Sequence, residues 1–417
     1  MAACAAIASI PSLPDAIPFF FLLFGAAFVC YAAGSWWTPS VGGPRILVLV
    51  LGVALMARLA LVWASPTLST DAYRYVWDAR VARAGLDPYA HAPWAKELEP
   101  LRDREVFPNL NHPTWRTVYP PGAQAFFQAV YRLRPDSVLG MKLAIGLAEL
   151  VGVATVLGCL AAGGRPLSRV VVYAWNPLVL VEVWGTGHLD GLLVPAVAGA
   201  AWAAMRRRYA LAGGLLGAGA LVKLYPAAML SLLPIAGWPA ALVAFAVVML
   251  AGYGPFLLAG ATVLGSLPRY LAEEYFNPGL VRSVVESPSA MFAAAGLWIL
   301  AVSIGRREEP LPARAVPLIG GLLLLSPNIF PWYAVWLTPF LAFAPSMPWT
   351  AFTGTVVLAY AFFLHQPWSV PAWARVLEFV PLALGASWWL ATSISARTGG
   401  RRIGRRERPF LPAPDDG

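Results

Sequence analysis

The sequence predicts an all-α polytopic transmembrane helical bundle of about 11–13 spans, and three observations predict it. Apolar residues make up 59% of the 417-residue chain. Charged residues make up 12%, where an ordinary soluble domain carries about a quarter. The apolar residues come in continuous runs rather than in the apolar/polar alternation of a barrel strand. So little polar surface cannot cover a soluble exterior. A soluble enzyme, a disordered chain and a disulfide-built secreted domain are therefore excluded.

In chain order, spans are expected at 15–34, 44–65, 138–160, 168–186, 189–205, 209–223, 225–236, 238–261, 289–304, 314–327, 330–344, 348–365 and 373–394. At about 20 residues each they use roughly 260 residues. The run at 225–236 is short for a crossing and reads as re-entrant. Pro327 and Pro331 interrupt the runs around them, which bundles tolerate when neighbours re-satisfy the freed backbone groups. The first run follows no basic segment and is long enough to stay as a span, not a cleaved signal. Residues 1–395 read as one membrane domain, with 66–137 as its large extracytoplasmic loop carrying interfacial helices. Residues 396–417 read as a basic, disordered cytoplasmic tail.

The net charge of +9 rests on arginine, since Lys96, Lys142 and Lys223 are the only lysines. The arginines cluster at span ends, where they set orientation and give no reason to expect nucleic acid. Placing Arg165/Arg169, Arg206–Arg208, Arg306/Arg307 and the tail in the cytoplasm puts residues 66–137 and 262–288 outside. The N-terminus is then outside too, and the C-terminus inside, in a multi-pass plasma-membrane protein. Cys4, Cys30 and Cys159 form no disulfide or zinc spacing. No cofactor is called for and a divalent metal is not indicated.

Five clusters carry chemistry. The first is the run from Ser69 to Gly85, followed by Asp87-Pro88-Tyr89. Ser69 or Thr70 can cap a helix there, and Gly85 can end it. Asp71, Arg74 and Asp78 share one face of it, while Tyr75 can face bilayer or bundle. This reads as an amphipathic helix on the outer interface, holding a carboxylate at lipid-phosphate height. It reads equally as an ordinary helix start with an i,i+4 surface pair. The second runs from Asn109 through Asn111, His112 and Arg116 to Tyr119-Pro120-Pro121-Gly122. His112, Arg116 and Tyr119 suit a sugar or phosphate rim, and the same residues suit a rigid turn.

The third cluster is Trp175-Asn176-Pro177 with Glu182, His188 and Asp190, at a turn expected to face the Asp71 loop. Ionisable groups at such a place line a cavity or anchor an interface. The fourth is Lys223 with Tyr225. A lysine ending an otherwise uncharged span needs a partner, either a lipid phosphate or the headgroup region. Lys142 and Glu149, two turns apart, read as an ion pair. The fifth is the broken helix around Pro327-Asn328, with Trp332, Tyr333 and Trp336. It suits a wall for a sugar or lipid tail, or a plain aromatic belt. Tyr275, Asn277, Arg282 and Glu286 are further candidates for an acceptor side.

The runs TDAYRYVWDARVARAGLDPYAHAP, VYPPGAQAFF and WNPLVLVEVWGTGHLDG resemble GT-C superfamily membrane glycosyltransferases. They are most similar to bacterial polyprenyl-phosphate-mannose-dependent α-mannosyltransferases. The resemblance covers about residues 44–365. It implies a GT-C bundle with a catalytic acid in the first large outer loop, at Asp71. It implies a polyprenyl-phosphate sugar donor and a lipid- or glycan-linked acceptor, with membrane lipids around both. The transferred hexose would be mannose, with inversion at the anomeric carbon. Lys223, His188, Arg74 or Arg116 would face the phosphate. A lipid-linked-sugar flippase, or a transferase of another sugar such as arabinose, is the alternative.

Overall fold

The computed structural model describes residues 1–41, 43–258, 262–285, 287–366 and 368–403. Among them the regular structure is helical, with one isolated antiparallel bridge between Pro278 and Asn328. A short helix α1 (Ala2–Ala8), outside the expected spans, folds back on α2 (Ile17–Val41) and α3 (Pro44–Leu61). The 66–137 segment contributes α4 (Asp71–Arg83) and α5 (Pro121–Leu133), and α6 (Val138–Ala162) re-enters the bundle. Ser137 starts α6 by accepting a hydrogen bond from the Gly140 N–H at 3.0 Å.

The run expected as a span at 168–186 is broken. It consists of α7 (Val171–Ala174) and α8 (Pro177–Val179), the latter running into a π-turn over Leu180–Gly185. Asn176 makes the break. Its Oδ1 accepts from the Leu178 N–H, and its Nδ2 donates to the Thr353 hydroxyl, both at 3.0 Å. Then come α9 (Leu193–Met205), α10 (Tyr209–Ala220), α11 (Trp238–Leu258), α12 (Leu267–Glu273), α13 (Pro288–Gly305) and α14 (Leu311–Leu325). The bundle ends with α15 (Thr338–Phe343), α16 (Met347–Thr355) and α17 (Ala372–Ile403). The last helix thus runs beyond residue 395; residues 404–417, with Arg405, Arg406 and Arg408, lie outside the described residues.

Among the described residues, five helices are long and apolar enough to cross a membrane, or six if the pair Pro177–Gly185 and Leu189–Met205, bent by 110°, is one broken span. The spans expected at 209–223, 289–304 and 314–327 appear as the shorter apolar helices Tyr209–Ala220, Ser289–Gly305 and Leu311–Leu325, whereas the one expected at 373–394 lies within the long helix α17. The apolar stretch Ile235–Leu258 has only 6% of its hydrophobic window buried inside the protein. Lipid must cover the rest, so the chain is a multi-pass membrane protein. Helix contacts use small residues: Gly213 and Gly217 let α10 approach α11 so closely that a side chain at Gly213 would strike the Ala241 backbone.

Two expectations are corrected here. The helix read as lying on the membrane, α4, is packed inside the protein: Ala72 and every residue from Arg74 to Val81 are buried. Packing decides this. Tyr75 stacks on Phe127 of α5 at 4.6 Å and Trp77 meets Phe107 at 5.4 Å. Such pairs contribute about 0.5–1.5 kcal/mol each beyond their buried area. Arg80, turned to the loop, pairs with Asp103 and Asp136 at 2.6 Å. The helix ends as expected at Gly85, whose φ of +80° suits glycine.

The second correction concerns Lys142 and Glu149, which do not pair. Glu149 takes Arg58 of α3 in a fully buried two-point ion pair, with Nη2–Oε1 at 2.7 Å and Nε–Oε2 at 2.9 Å. The Trp184 indole N–H also donates to Glu149, at 3.0 Å. Lys142 donates instead to the Ala64 carbonyl, and its stem packs on Gly187. Arginine wins because its fork matches a carboxylate at two points.

Candidate active site

A cavity of about 730 Å³ opens between the 66–120 segment, the 222–225 turn, the 267–276 segment, the broken helix at 326–336 and the 360–363 turn. Asp71 lies on its wall at the first turn of α4. The Ser69 hydroxyl accepts from the Asp71 N–H at 3.3 Å, while Thr70 fills the cap position without a side-chain bond. Asp71 Oδ1 accepts a hydrogen bond from Asn111 Nδ2 at 2.6 Å. Its Oδ2 has no hydrogen bond, and no cation among the described residues lies within ion-pair distance. The arrangement leaves one carboxylate oxygen oriented and free.

Arg74, His112, Arg116, Tyr119, Lys223 and Tyr225 line the same cavity, as do Trp332 and Tyr333. Three of the four basic side chains among them, Arg74, Lys223 and His112, face a carboxylate. Arg74 Nε donates to Asp78 at 2.8 Å, Lys223 Nζ donates to both oxygens of Asp190 at 2.8 Å, and His112 Nε2 lies 3.1 Å from Glu274. Arg116 is exposed and, among the described residues, reaches only the Thr262 hydroxyl, at 3.4 Å. Among the described residues, two charges lining the cavity are thus without a counter-charge: Asp71 and Arg116. Lys223 is therefore not the partnerless lysine of the sequence reading. Besides Asp190, it lies 4.5 Å from the centre of the Tyr333 ring.

Four expected site residues stand one layer behind the wall. Asp78 is buried, held by Arg74 and by Gln124 Nε2 at 2.9 Å. Tyr75 packs between Tyr119 and Phe127, and its hydroxyl accepts from the Leu189 N–H. Asp190 fixes Lys223 and accepts from the Trp336 indole at 2.6 Å. His188 stacks on Trp332 at 3.8 Å, with Nδ1 on the Thr186 hydroxyl and 3.0 Å from Glu182. The 110° bend at Gly187 (φ +81°) packs these side chains inward instead of exposing them in a turn. Glu182 in turn accepts from Tyr360, which does line the cavity.

The broken helix forms an aromatic wall. Tyr225, Trp336 and Tyr333 stack in series at 4.0 and 4.6 Å. A second series runs from Trp332 through Phe330 and Phe276 to Phe362, at 4.5, 4.9 and 4.9 Å. The rings face the cavity, not the lipid, because Pro327 and Pro331 break the helix and turn that stretch inward. Burial, and then the neighbouring Asp71 carboxylate, push the Tyr119 phenol well above its ordinary range, so it stays protonated.

Sequence reasoning gave no role to Asn111, Glu274 or Tyr270. Asn111 was visible in its cluster, but nothing local tells that it reaches Asp71. Of the further acceptor-side candidates, Tyr275 lines the cavity. Asn277 is buried against Glu378 and the Ile329 carbonyl, and Arg282 binds backbone carbonyls. Glu286 lies outside the described residues.

The described residues thus form a helical membrane bundle whose cavity carries an acid and a cation without a counter-charge among them, between aromatic walls. Residues 16–242 match the family described as alpha-(1->6)-mannopyranosyltransferase, N-terminal domain, and the chain belongs to that family. The matched stretch carries Asp71, Asn111, Arg116 and Lys223, whereas Glu274, Trp332 and Tyr333 lie beyond it. Over 186 aligned positions that cover 42% of the chain, the sequence is 31% identical to GPI mannosyltransferase 1 of Aspergillus fumigatus. That match spans 40% of the relative's length.

Proposed function

We propose that the protein is an integral membrane mannosyltransferase. It moves mannose from a polyprenyl-phosphate sugar to a lipid- or glycan-linked acceptor on the extracytoplasmic face, inverting the anomeric carbon. The observation that carries this reading is the pair of unbalanced charges on the cavity wall, Asp71 and Arg116. Asp71 Oδ2 takes the proton of an acceptor hydroxyl. The hydroxyl oxygen forms its bond to the anomeric carbon from the face opposite the phosphate. The bond from that carbon to the phosphate oxygen breaks, and the electron pair leaves with the phosphate. Arg116 meets the charge that develops there. Arg74 and Lys223 are offset by Asp78 and Asp190 and serve chiefly to hold the wall. The family description supports mannose, and the aromatic wall suits a sugar face and the first prenyl units.

The test is transfer in sealed, right-side-out vesicles supplied from outside with a short-chain polyprenyl-phosphate mannose. Labelled product should appear. Transfer from a nucleotide mannose in carrier-depleted membranes, or activity only in inverted vesicles, would sink the donor or the sidedness respectively.

Arg116→Ala should lower kcat/KM for the donor about 100- to 1,000-fold, the usual cost of removing one oxyanion-stabilising donor. Arg116 is exposed, so the melting temperature should stay unchanged. Rates within threefold of wild type at low donor concentration would remove Arg116 from the phosphate site and return that role to Lys223.

A further inference from the structure

The cavity holds a second carboxylate, Glu274, which the step above does not use. We propose that Glu274 is the recognition group for the acceptor's sugar ring, a specificity-determining residue facing the hydroxyls that do not react. This rests on the transferase reading and goes beyond it.

Three features carry the assignment. First, Glu274 lines the same cavity as Asp71. Adjacent residues of one loop reach them: Asn111 donates to Asp71, and His112 Nε2 lies 3.1 Å from Glu274 Oε2. His112 adopts φ +44°, uncommon for a residue with a side chain, and stacks on Trp115 at 4.4 Å. Glu274 Oε1 has no hydrogen-bond partner among the described residues, so it can accept from a ligand. Second, a carboxylate repels a phosphate but accepts well from the hydroxyls of a neutral sugar. Two acids lining one cavity therefore suit the hydroxyls of an acceptor, and Arg116 the donor phosphate. Third, the backbone of Glu274 is pinned from several directions. Its carbonyl accepts from Asn328 Nδ2 at 2.7 Å and from Arg282 at 3.2 Å. The Ile329 N–H donates to the Asn277 carbonyl at 2.7 Å, and the Asn277 amide donates to Glu378 of α17 at 3.0 Å. Tyr270 and Tyr275, beside Glu274, offer rings for the apolar face of a sugar. A passive connector between spans has no need of such fixing.

The experiment uses the full chain in detergent, without donor, and follows tryptophan fluorescence as octyl α-mannoside and its 2-, 3- and 4-deoxy analogues bind. Wild type should lose affinity about tenfold when the hydroxyl held by Glu274 is missing. Glu274→Gln should bind octyl α-mannoside at least about tenfold more weakly, as expected for losing a hydrogen bond to a charged group. It should also no longer distinguish that deoxy analogue. In turnover, the acceptor KM should rise while the donor KM and kcat stay within threefold. Should Glu274→Gln fail to fold, His112→Gln removes the orienting imidazole, and the same deoxy preference should weaken. Unchanged affinity or unchanged deoxy discrimination overturns the proposal, as does wild type that does not bind octyl α-mannoside. A collapse of kcat with acceptor binding intact makes Glu274 the base instead. Loss of turnover in Asp71→Asn beside wild-type binding in Glu274→Gln leaves the transferase standing and removes only this subsite. Absence of mannose transfer by wild type sinks the transferase reading itself.

Discussion

Asp71→Asn is expected to lower the rate of mannose transfer at least about 100-fold, because general-base catalysis contributes roughly 10²–10⁴. Expression and melting temperature should stay near wild type. Asparagine has the size of aspartate and tolerates a helix start, but it cannot take a proton. The helix contribution at stake is small. Asp71 makes no side-chain cap, and a carboxylate in the first turn is worth about 0.3–1 kcal/mol. A residue that only starts α4 would therefore cost almost no activity when changed. The base reading demands the large loss, since one carboxylate oxygen is held by Asn111 at 2.6 Å and the other faces the cavity unpaired. Asn111→Ala should show a smaller loss in kcat, with acceptor KM little changed, because it frees the carboxylate to rotate. Initial rates at saturating donor and acceptor decide the matter. Activity of Asp71→Asn within threefold of wild type would leave Glu274 as the remaining acid on the wall and end the assignment.

Glu149→Leu is expected to destabilise the bundle by about 3–5 kcal/mol, since it leaves the Arg58 guanidinium buried and unpaired. Both side chains have no solvent exposure. Arg58 further donates to the carbonyls of Ala54 and Ala174, at 3.0 and 2.7 Å, tying α3 to the α7 turn. The double change Arg58→Met with Glu149→Leu should recover most of the loss, because two apolar residues carry no unmet charge. Thermal unfolding in detergent, with protein yield from membranes, measures both. A single mutant as stable as wild type would show that the pair does not hold the helices together. Full stability of the single mutants with lost transfer would move the pair into the functional machinery.

Much of the candidate site was legible along the chain where chemistry is local. Asp71 stands out because an acid follows directly on a membrane span, and Tyr119-Pro120-Pro121-Gly122 because proline suits a first helical turn. Gly122 there also lets α5 touch Leu221, with the Ala123 N–H donating to the Leu221 carbonyl at 3.1 Å. Arg58 drew no reading from the sequence, and its partner could not be found there, since Glu149 lies 91 positions away. Lys142 was closer to Glu149 in sequence and on its helix, and proximity along a helix misled. His188 and Asp190 were placed near the site, and they do lie beside it, but behind Trp332 and Lys223.

By itself the sequence determined that this protein is a helical membrane bundle with acids and aromatics gathered near the 66–137 segment. Hydropathy runs and i,i+4 spacing are local properties, and lipid imposes helices on long apolar runs. Only the tertiary structure decided which charges neutralise one another. Ion pairing depends on distances of a few ångströms between segments far apart in the chain. The 110° bend at Gly187 and the break at Pro327 and Pro331 set those distances. That is why Lys223 meets a carboxylate while Arg116 meets none among the described residues, and why Glu274, unremarkable in the sequence, lines the same cavity as Asp71.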